Sequence, residues 1–359
     1  MVQKSEMNRA DQTGAHSAAL TALPGVLLPW YDGEKRTLPW RSIVSPYRTW
    51  VSEIMLQQTR VQAVLPYFQR FMDAAPDIAA LAELPEERLL SLWQGLGYYS
   101  RARNLQKAAR VVQEKYGGCL PDVYSELIQL PGIGDYTAGA ILSIAFGQAV
   151  PAVDGNVLRI VSRLTACREN VLDTRTKQRV RDALAAVMPA ERPGDMNQAL
   201  MDLGAMICLP KRPKCESCPA ENRCAARAAG IQEELPVREK RGEKPVKERT
   251  VFLLTDGQGR MALRRRPEKG LLAGLWEYPN VEGKLTESLA AQQLRDWGVL
   301  PRQWRERFSD RHIFTHQIWE MTVYRLEVTG GGAPDWVWAR PSERENHPMP
   351  TAFSKLTAT

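Results

Sequence analysis

Four cysteines fall within seventeen residues, spaced Cys208-x6-Cys215-x2-Cys218-x5-Cys224. A chain that gathers four thiols so tightly has to fold that segment around whatever they hold. Residues 1–24 lack the apolar core of an export signal, so a reducing compartment is expected, and there such a cluster is a metal site rather than two disulfides. Four thiolates can hold tetrahedral zinc or an iron–sulfur cluster. Gaps of six and five depart from the usual zinc pattern, but spacing alone leaves both open. Lys211, Arg212 and Lys214 stud the loop between the first two cysteines, and a loop pinned by metal and carrying cations suits phosphate. Cys119 and Cys167 stand apart and read as ordinary buried thiols.

The chain has 359 residues, more than a single core usually serves, so two domains are expected. From about Pro29 to Arg227 the pattern is helical, with apolar residues three and four apart, as in Leu81/Leu84/Leu89/Leu92. Pro46, Pro66, Pro76, Pro85, Pro121 and Pro131 punctuate it into short helices, an all-α unit. Residues 228–249 turn polar and charged, as a linker does. Beyond them VFLLT, MALRR, HQIWEMTVYRLEV and WVWA read as strands, DGQG as a hairpin turn and Glu287–Asp296 as a helix. The expected organisation is therefore a loose tail at 1–24, a helical domain at 25–227 and the linker at 228–249. An α+β domain at 250–345 and a loose end at 346–359 complete it. A hydrophobic content of 44% with 25% charged residues is that of a soluble globular chain, and no run approaches a membrane span. A net charge of +7 favours a polyanionic partner. Nothing suggests oligomerisation, and a monomer is expected.

Leu130–Ala140 reads LPGIGDYTAGA. Gly132 and Gly134 permit a tight turn with positive φ, and residues 135–147 supply a helix whose first N–H groups point out unpaired. With Asp122–Gln129 as a preceding helix, the unit is helix–hairpin–helix, and its turn is suited to a phosphate. Close behind comes VDGN, in which Asp154 caps the helix continuing NVLRIVSRL.

LPGIGDYTAGAI followed by VDGNVLR resembles the helix-hairpin-helix DNA glycosylases of the endonuclease III superfamily. Within it, TWVSEIMLQQTRV (Thr49–Val61), GLGYYSRARNL (Gly95–Leu105), NQALMDLGAMIC (Asn197–Cys208) and the cysteine cluster resemble the adenine DNA glycosylases of the MutY type. The match runs through nearly all of the helical region, and its motifs occur in order. The resemblance implies a monofunctional glycosylase of base excision repair that removes adenine opposite 8-oxoguanine or G in double-stranded DNA. Relatives that also cleave the strand have a lysine at the position of Tyr136, and a tyrosine cannot form that Schiff base. The resemblance also implies one 4Fe–4S cluster on Cys208, Cys215, Cys218 and Cys224, and a cytoplasmic setting on nucleoid DNA if the source is bacterial.

Hydrolysis of an N-glycosidic bond needs a proton for the leaving base and negative charge near the cationic sugar, after the base has been flipped out of the stack. Glu53, flanked by Ile54, Met55 and Leu56, would keep a proton if partly buried. Asp154 would be the anion. The resemblance gives these two the same roles, with Tyr136 and Asn156 in support. It places Gln58 and Tyr98 in the duplex around the lesion and Arg36 and Trp40 at the adenine pocket. Either Tyr98 or its neighbour Tyr99 could equally be a core aromatic. RTVFLLTDGQGRMALRRRPEKGLLAGLWEYP is similar to a Nudix-like fold, but the helix TESLAAQQLRDWG lacks the acidic run that would bind magnesium. By resemblance this domain reads the base opposite adenine through Phe314, Thr315 and His316, where the family has Phe-Ser-His. The fold class is thus an all-α helix-hairpin-helix glycosylase domain with a cluster loop, followed by an α+β Nudix-like domain. An endonuclease III-like enzyme for oxidised pyrimidines is disfavoured by Tyr136. A non-catalytic damage binder is disfavoured by the pair Glu53 and Asp154.

Overall fold

The structure is a computed structural model that describes residues 19–239, 242–329 and 331–357. The chain divides into two compact units. One holds the described residues up to Glu83 and from Asn104 to 239, and the other holds Leu84–Arg103 and the described residues from 242 onward. The second unit thus takes in a stretch that the sequence pattern alone assigns to the helical domain.

The helices are α1 (Leu23–Glu34), α2 (Pro39–Ser42), α3 (Pro46–Leu56), α4 (Val61–Ala74), α5 (Ile78–Glu83), α6 (Glu86–Trp93) and α7 (Ser100–Tyr116). They continue with α8 (Tyr124–Leu127), α9 (Asp135–Phe146), α10 (Gly155–Leu164), α11 (Thr174–Ala185), α12 (Pro193–Met206) and α13 (Ala225–Ala228). In the first unit α3 is buried around its whole circumference, the property of a central helix. It starts cleanly because Ser45 accepts a hydrogen bond from the Arg48 amide and Pro46 occupies the first helical position. Helix α9 packs on α3 and α12, and α12 also packs on α1 and α10. Leu27, Val157, Leu200 and Leu203 lie in the core between α1, α10 and α12.

Two expectations change here. Residues 1–18 of the expected tail lie outside the described residues, but Leu20 and Leu23 are buried in the core, so 19–24 are helical rather than loose. Cys119 is exposed, because it follows the left-handed Gly117 and Gly118 on the turn after α7. Cys167 is half-buried.

Seven strands form the sheet of the second unit: β1 (Val246–Thr255), β2 (Met261–Arg265), β3 (Trp276–Glu277), β4 (Asn280–Glu282), β5 (Leu300–Ile313), β6 (Ile318–Thr329) and β7 (Trp336–Ala339). Their order is β3-β2-β1-β6-β5, with β4 beside β1 and β7 beside β2. Strands β1 and β6 are parallel, with Val251 opposite Val323, and the other pairs are antiparallel. Helix α14 (Glu287–Asp296) lies where expected. DGQG closes β1 onto β2, with Asp256 accepting from the amides of Gln258 and Arg260.

Strand β1 starts at Val246, inside the expected linker. The long edge strand β5 was not expected from sequence, since LPRQWRERFSDRHI shows no apolar alternation and its side chains are mostly exposed. The expected loose end at 346–359 is also overturned within the described residues. Helix α15 (Thr351–Ser354) buries Ala352 and Phe353, and Leu356 follows them into the core beside Trp319 and Tyr278. Phe353 is fully buried, so Phe353→Ala should cost about 3–5 kcal/mol in a denaturant melt that follows this unit. A change near zero would mean that the terminal segment is not part of the core.

Candidate active site

Helix α3 carries Glu53 into the interior of the first unit, where only 4% of the residue is exposed. The hydroxyl of Tyr136, in the first turn of α9, donates to Glu53 Oε2 at 2.7 Å. Burial pushes the Glu53 carboxyl up to about 7. The Tyr136 bond and the Arg41 charge pull it down, while the Asp154 charge pushes it further up. Burial, followed by the Glu53 and Asp154 charges, pushes the Tyr136 phenol well above its ordinary value, so it stays a hydrogen-bond donor.

Asp154 is the N-cap of α10. Its Oδ1 accepts from the Asn156 and Val157 amides at 2.8 Å each, and its Oδ2 accepts from Asn156 Nδ2 at 2.8 Å. Burial pushes this carboxyl up, and the two amides, Arg159 and the Asn156 side chain oppose it. All three donated bonds favour the ionised form. Asn156 is held in turn by Arg159, which donates to Asn156 Oδ1 at 3.1 Å and to the carbonyls of Gly204 and Cys208. At Gly204 a β-carbon would lie 2.8 Å from Asn156 Cβ, so glycine is needed for α12 to pass that close to α10. Buried Asn197 fixes the loop leading to Asp154, accepting from the Ala152 amide and donating to Ser143 Oγ and the Val150 carbonyl.

In the hairpin, Gly132 has φ +82°, and a β-carbon there would meet Asn104 Cβ at 2.9 Å. Gly134 is extended instead and serves as the N-cap of α9, so the expectation of two left-handed glycines holds only for Gly132. A β-carbon on Gly134 would point into open space. The preceding helix, α8, is four residues long and shorter than the expected Asp122–Gln129.

Trp40 is buried edge-on against Phe68. The Arg36 guanidinium is bonded to the buried Asp202. Gln58 is exposed with φ +57°, a costly conformation for glutamine that recurs at functional sites. In the second unit Tyr98 also has positive φ and is 45% exposed, whereas Tyr99 is buried. Tyr99 is therefore the core aromatic and Tyr98 the presented one. Arg101 lies over the Tyr98 and Trp93 rings and donates to the Leu96 and Gly97 carbonyls, which shapes this turn.

Phe314, Thr315 and His316 form the tip of the β5–β6 hairpin rather than part of a strand. Phe314 packs edge-on against Trp319, and its carbonyl accepts from Lys244 Nζ at 2.9 Å. Thr315 Oγ1 lies 2.9 Å from the Tyr98 hydroxyl. Two residues singled out separately in sequence thus meet within one unit.

Cys208, Cys215, Cys218 and Cys224 line one pocket with Arg163. Arg163 donates to Cys208 Sγ at 3.3 Å and to the carbonyls of Leu209 and Pro210. Lys211, Arg212 and Lys214 are all exposed on this loop. Sequence reasoning missed Arg41, Arg159, Asn197 and Asp202. The one available signal was an aspartate inside the otherwise apolar helix ALMDLGAM.

Glu53 has a folded pKa of about 7 against an ordinary 4.5, so the folded chain keeps a proton that the unfolded chain releases. Stability should therefore fall as pH rises through that window and level off above it. Glu53→Gln removes the titration. Its stability relative to the parent should rise between about pH 4 and about pH 8, by roughly 3 kcal/mol at most. Denaturant melts at the two pH values measure this, and an unchanged difference would place Glu53 in the ordinary carboxylate range.

Residues 51–189 match the family model described as HhH-GPD superfamily base excision DNA repair protein, and residues 250–359 match the NUDIX domain model. The chain is 37% identical to the adenine DNA glycosylase of Homo sapiens, over 94% of this chain and 74% of that one. It is 32% identical to the adenine DNA glycosylase of Buchnera aphidicola subsp. Baizongia pistaciae, over 83% of each. Among solved structures, that of a thermostable thymine-DNA glycosylase aligns with a TM-score of 0.54 at 27% identity, covering 59% of this chain and 98% of that one. Among the described residues no helix is long and apolar enough to cross a membrane. A helical glycosylase unit, a Nudix-like sheet and relatives of one named activity matched along most of their length agree: the chain belongs to the adenine DNA glycosylase family, hydrolases acting on N-glycosyl bonds.

Proposed function

We propose that this chain removes adenine mispaired with 8-oxoguanine or G from double-stranded DNA and leaves an abasic site with the strand intact. The observation that carries this reading is the set converging in one unit: a buried Glu53 that accepts from Tyr136, and an Asp154 fixed by three N–H donors. With adenine flipped out of the stack, Glu53 acts as general acid and gives the departing base its proton. Asp154 stabilises the oxocarbenium-like sugar while water attacks. Tyr136 orients Glu53, and Asn156 orients Asp154. No amine stands at the position of Tyr136, so no Schiff base forms there and the backbone is not cut.

The open side of Gly134 and the first amides of α9 receive a backbone phosphate. Gln58 and Tyr98 enter the duplex around the lesion, where a flat ring can stack on a base. Trp40 lines the adenine pocket, and Arg36 shapes it from its seat on Asp202. In the second unit Phe314, Thr315 and His316 face the base opposite adenine. The Thr315 hydroxyl, next to that of Tyr98, bonds the oxidised base edge. Helix α14 carries acidic side chains only at Glu287 and Asp296, both exposed, so hydrolysis of the Nudix type is not assigned to this unit.

Cys208, Cys215, Cys218 and Cys224 would hold one 4Fe–4S cluster. All four cysteines line one pocket, and four thiolates are a donor set that such a cluster takes. Held by these four cysteines, it would pin the loop on which Lys211, Arg212 and Lys214 are exposed for contact with phosphates. The reading places the protein as a monomer wherever chromosomal DNA lies, which is the cytoplasmic nucleoid if the source is bacterial.

Duplexes carrying 8-oxoguanine:A, thymine glycol:A or undamaged pairs test the reaction. Breaks should arise with 8-oxoguanine:A alone, and only after alkali. Glu53→Gln should bind that duplex but release adenine about 10²–10⁴-fold more slowly. Breaks without alkali, or near-normal turnover by Glu53→Gln, would refute the reading. Thr315→Ala should lower the preference for 8-oxoguanine:A over G:A, and an unchanged ratio removes Thr315 from the recognition set.

A further inference from the structure

Asp202 lies in the middle of α12, fully buried, with both of its oxygens occupied by arginines. Arg41 Nη1 and Nη2 reach Oδ2 and Oδ1 at 2.8 and 2.9 Å, a bidentate pair. Arg36 adds Nε at 2.7 Å, Nη2 at 2.6 Å and its backbone amide at 3.2 Å. A buried aspartate with two guanidiniums is expensive to assemble, and removing one partner leaves charges without compensation. Such a cluster beside a reaction centre calls for a reason beyond stability.

That reason lies in what Arg41 faces. Glu53 on α3 interacts with Tyr136 of α9, Asp154 at the start of α10 and Arg41 of α2. Arg41 also lies over the Tyr31 ring of α1, 5.7 Å from its centroid, and Asp195 of α12 and Asp32 of α1 act on that same tyrosine. Of these, Arg41 is the cation, and its charge opposes the protonated form of Glu53, yet its hydrogen bonds go elsewhere: to Asp202 and to the Arg36 carbonyl.

We propose that Asp202 is a positioning residue that holds Arg41, with Arg36, on α12 and so denies Glu53 an ion pair with that arginine. The inference rests on the reading of Glu53 as the acid. An Arg41 released from Asp202 would turn to Glu53, the other carboxylate whose charge acts on it, and draw off its proton. Asp202 is suited to the task because it stays ionised. Burial pushes its carboxyl up, but the bonds and charges of Arg41 and Arg36 outweigh burial and hold it below the ordinary value.

The experiment is single-turnover adenine release against pH, on an 8-oxoguanine:A duplex, with folding checked by circular dichroism. The parent should lose rate as pH rises through about 7, where Glu53 gives up its proton. In Asp202→Asn that limb should move down by about 1–3 pH units, the effect of an arginine placed beside a carboxylate, with rate regained at low pH. Arg41→Met should move the limb upward, and in Asp202→Asn/Arg41→Met it should no longer lie below the parental limb. If Asp202→Asn does not fold, Arg41→Met alone decides, and an unmoved limb overturns the inference. A uniform loss at every pH in Asp202→Asn, with its limb in place, also overturns it, since that is the signature of a merely structural aspartate. Glu53→Gln separates the two failures. If its residual rate keeps the parental limb, the acid assignment is wrong; if the limb vanishes there but stays put in Asp202→Asn and Arg41→Met, only the role of Asp202 falls.

Discussion

A carboxylic acid taken out of water is the constraint on which the first unit depends. Glu53 could sit cheaply on a helix surface; instead α3 is buried on every side and the acid with it. Desolvation disfavours the charged form, and that holds the proton near neutral pH. The same burial makes the site expensive, so its neighbours are specified closely. A phenol too weakly acidic to ionise serves as donor, and an arginine is bound to another carboxylate. The second acid, Asp154, is buried as well, and burial raises its carboxyl on balance. A helix N-terminus and an asparagine, however, supply it with donors that work against that shift, so two similar groups sit in differently furnished surroundings.

Holding that contrast in place is the task of the packing. Asn156 orients Asp154, Arg159 orients Asn156, and Arg159 also grips the carbonyls of Gly204 and Cys208. Arg163, one turn further along α10, holds Leu209, Pro210 and the Cys208 sulfur. One helix therefore begins at the anion of the site and ends among the cysteines. A cluster on those cysteines would steady α10 as well as the loop, a structural purpose that needs no exchange of electrons.

Much of this was legible in the sequence, for identifiable reasons. Glycine turns, N-caps and apolar periodicity are local signals, and they placed Gly132, Asp154 and helix Glu287–Asp296 well. Motifs in order pointed to the family. Long-range partners left no such trace. Asp202 and Arg41 are 161 residues apart, and their pairing exists only once α12 passes the segment carrying α2. Strand β5 was hidden because an edge strand with polar side chains lacks the alternation that betrays a half-buried one. The terminal segment looked loose because TAFSKL is too short to show a period, yet Phe353 fills the core of the second unit. Tyr98 and Tyr99 are indistinguishable by pattern, and only the positive φ of Tyr98 and its exposure separate them.

The protonation state of one side chain carries the account, and it can be read without turnover. In protein with carboxyl-¹³C glutamate, assigned by comparison with Glu53→Gln, the Glu53 resonance should titrate with a midpoint of about 7. A midpoint at the ordinary value of 4.5 would mean that the acid is ionised when the protein works, and the account would be wrong at its centre.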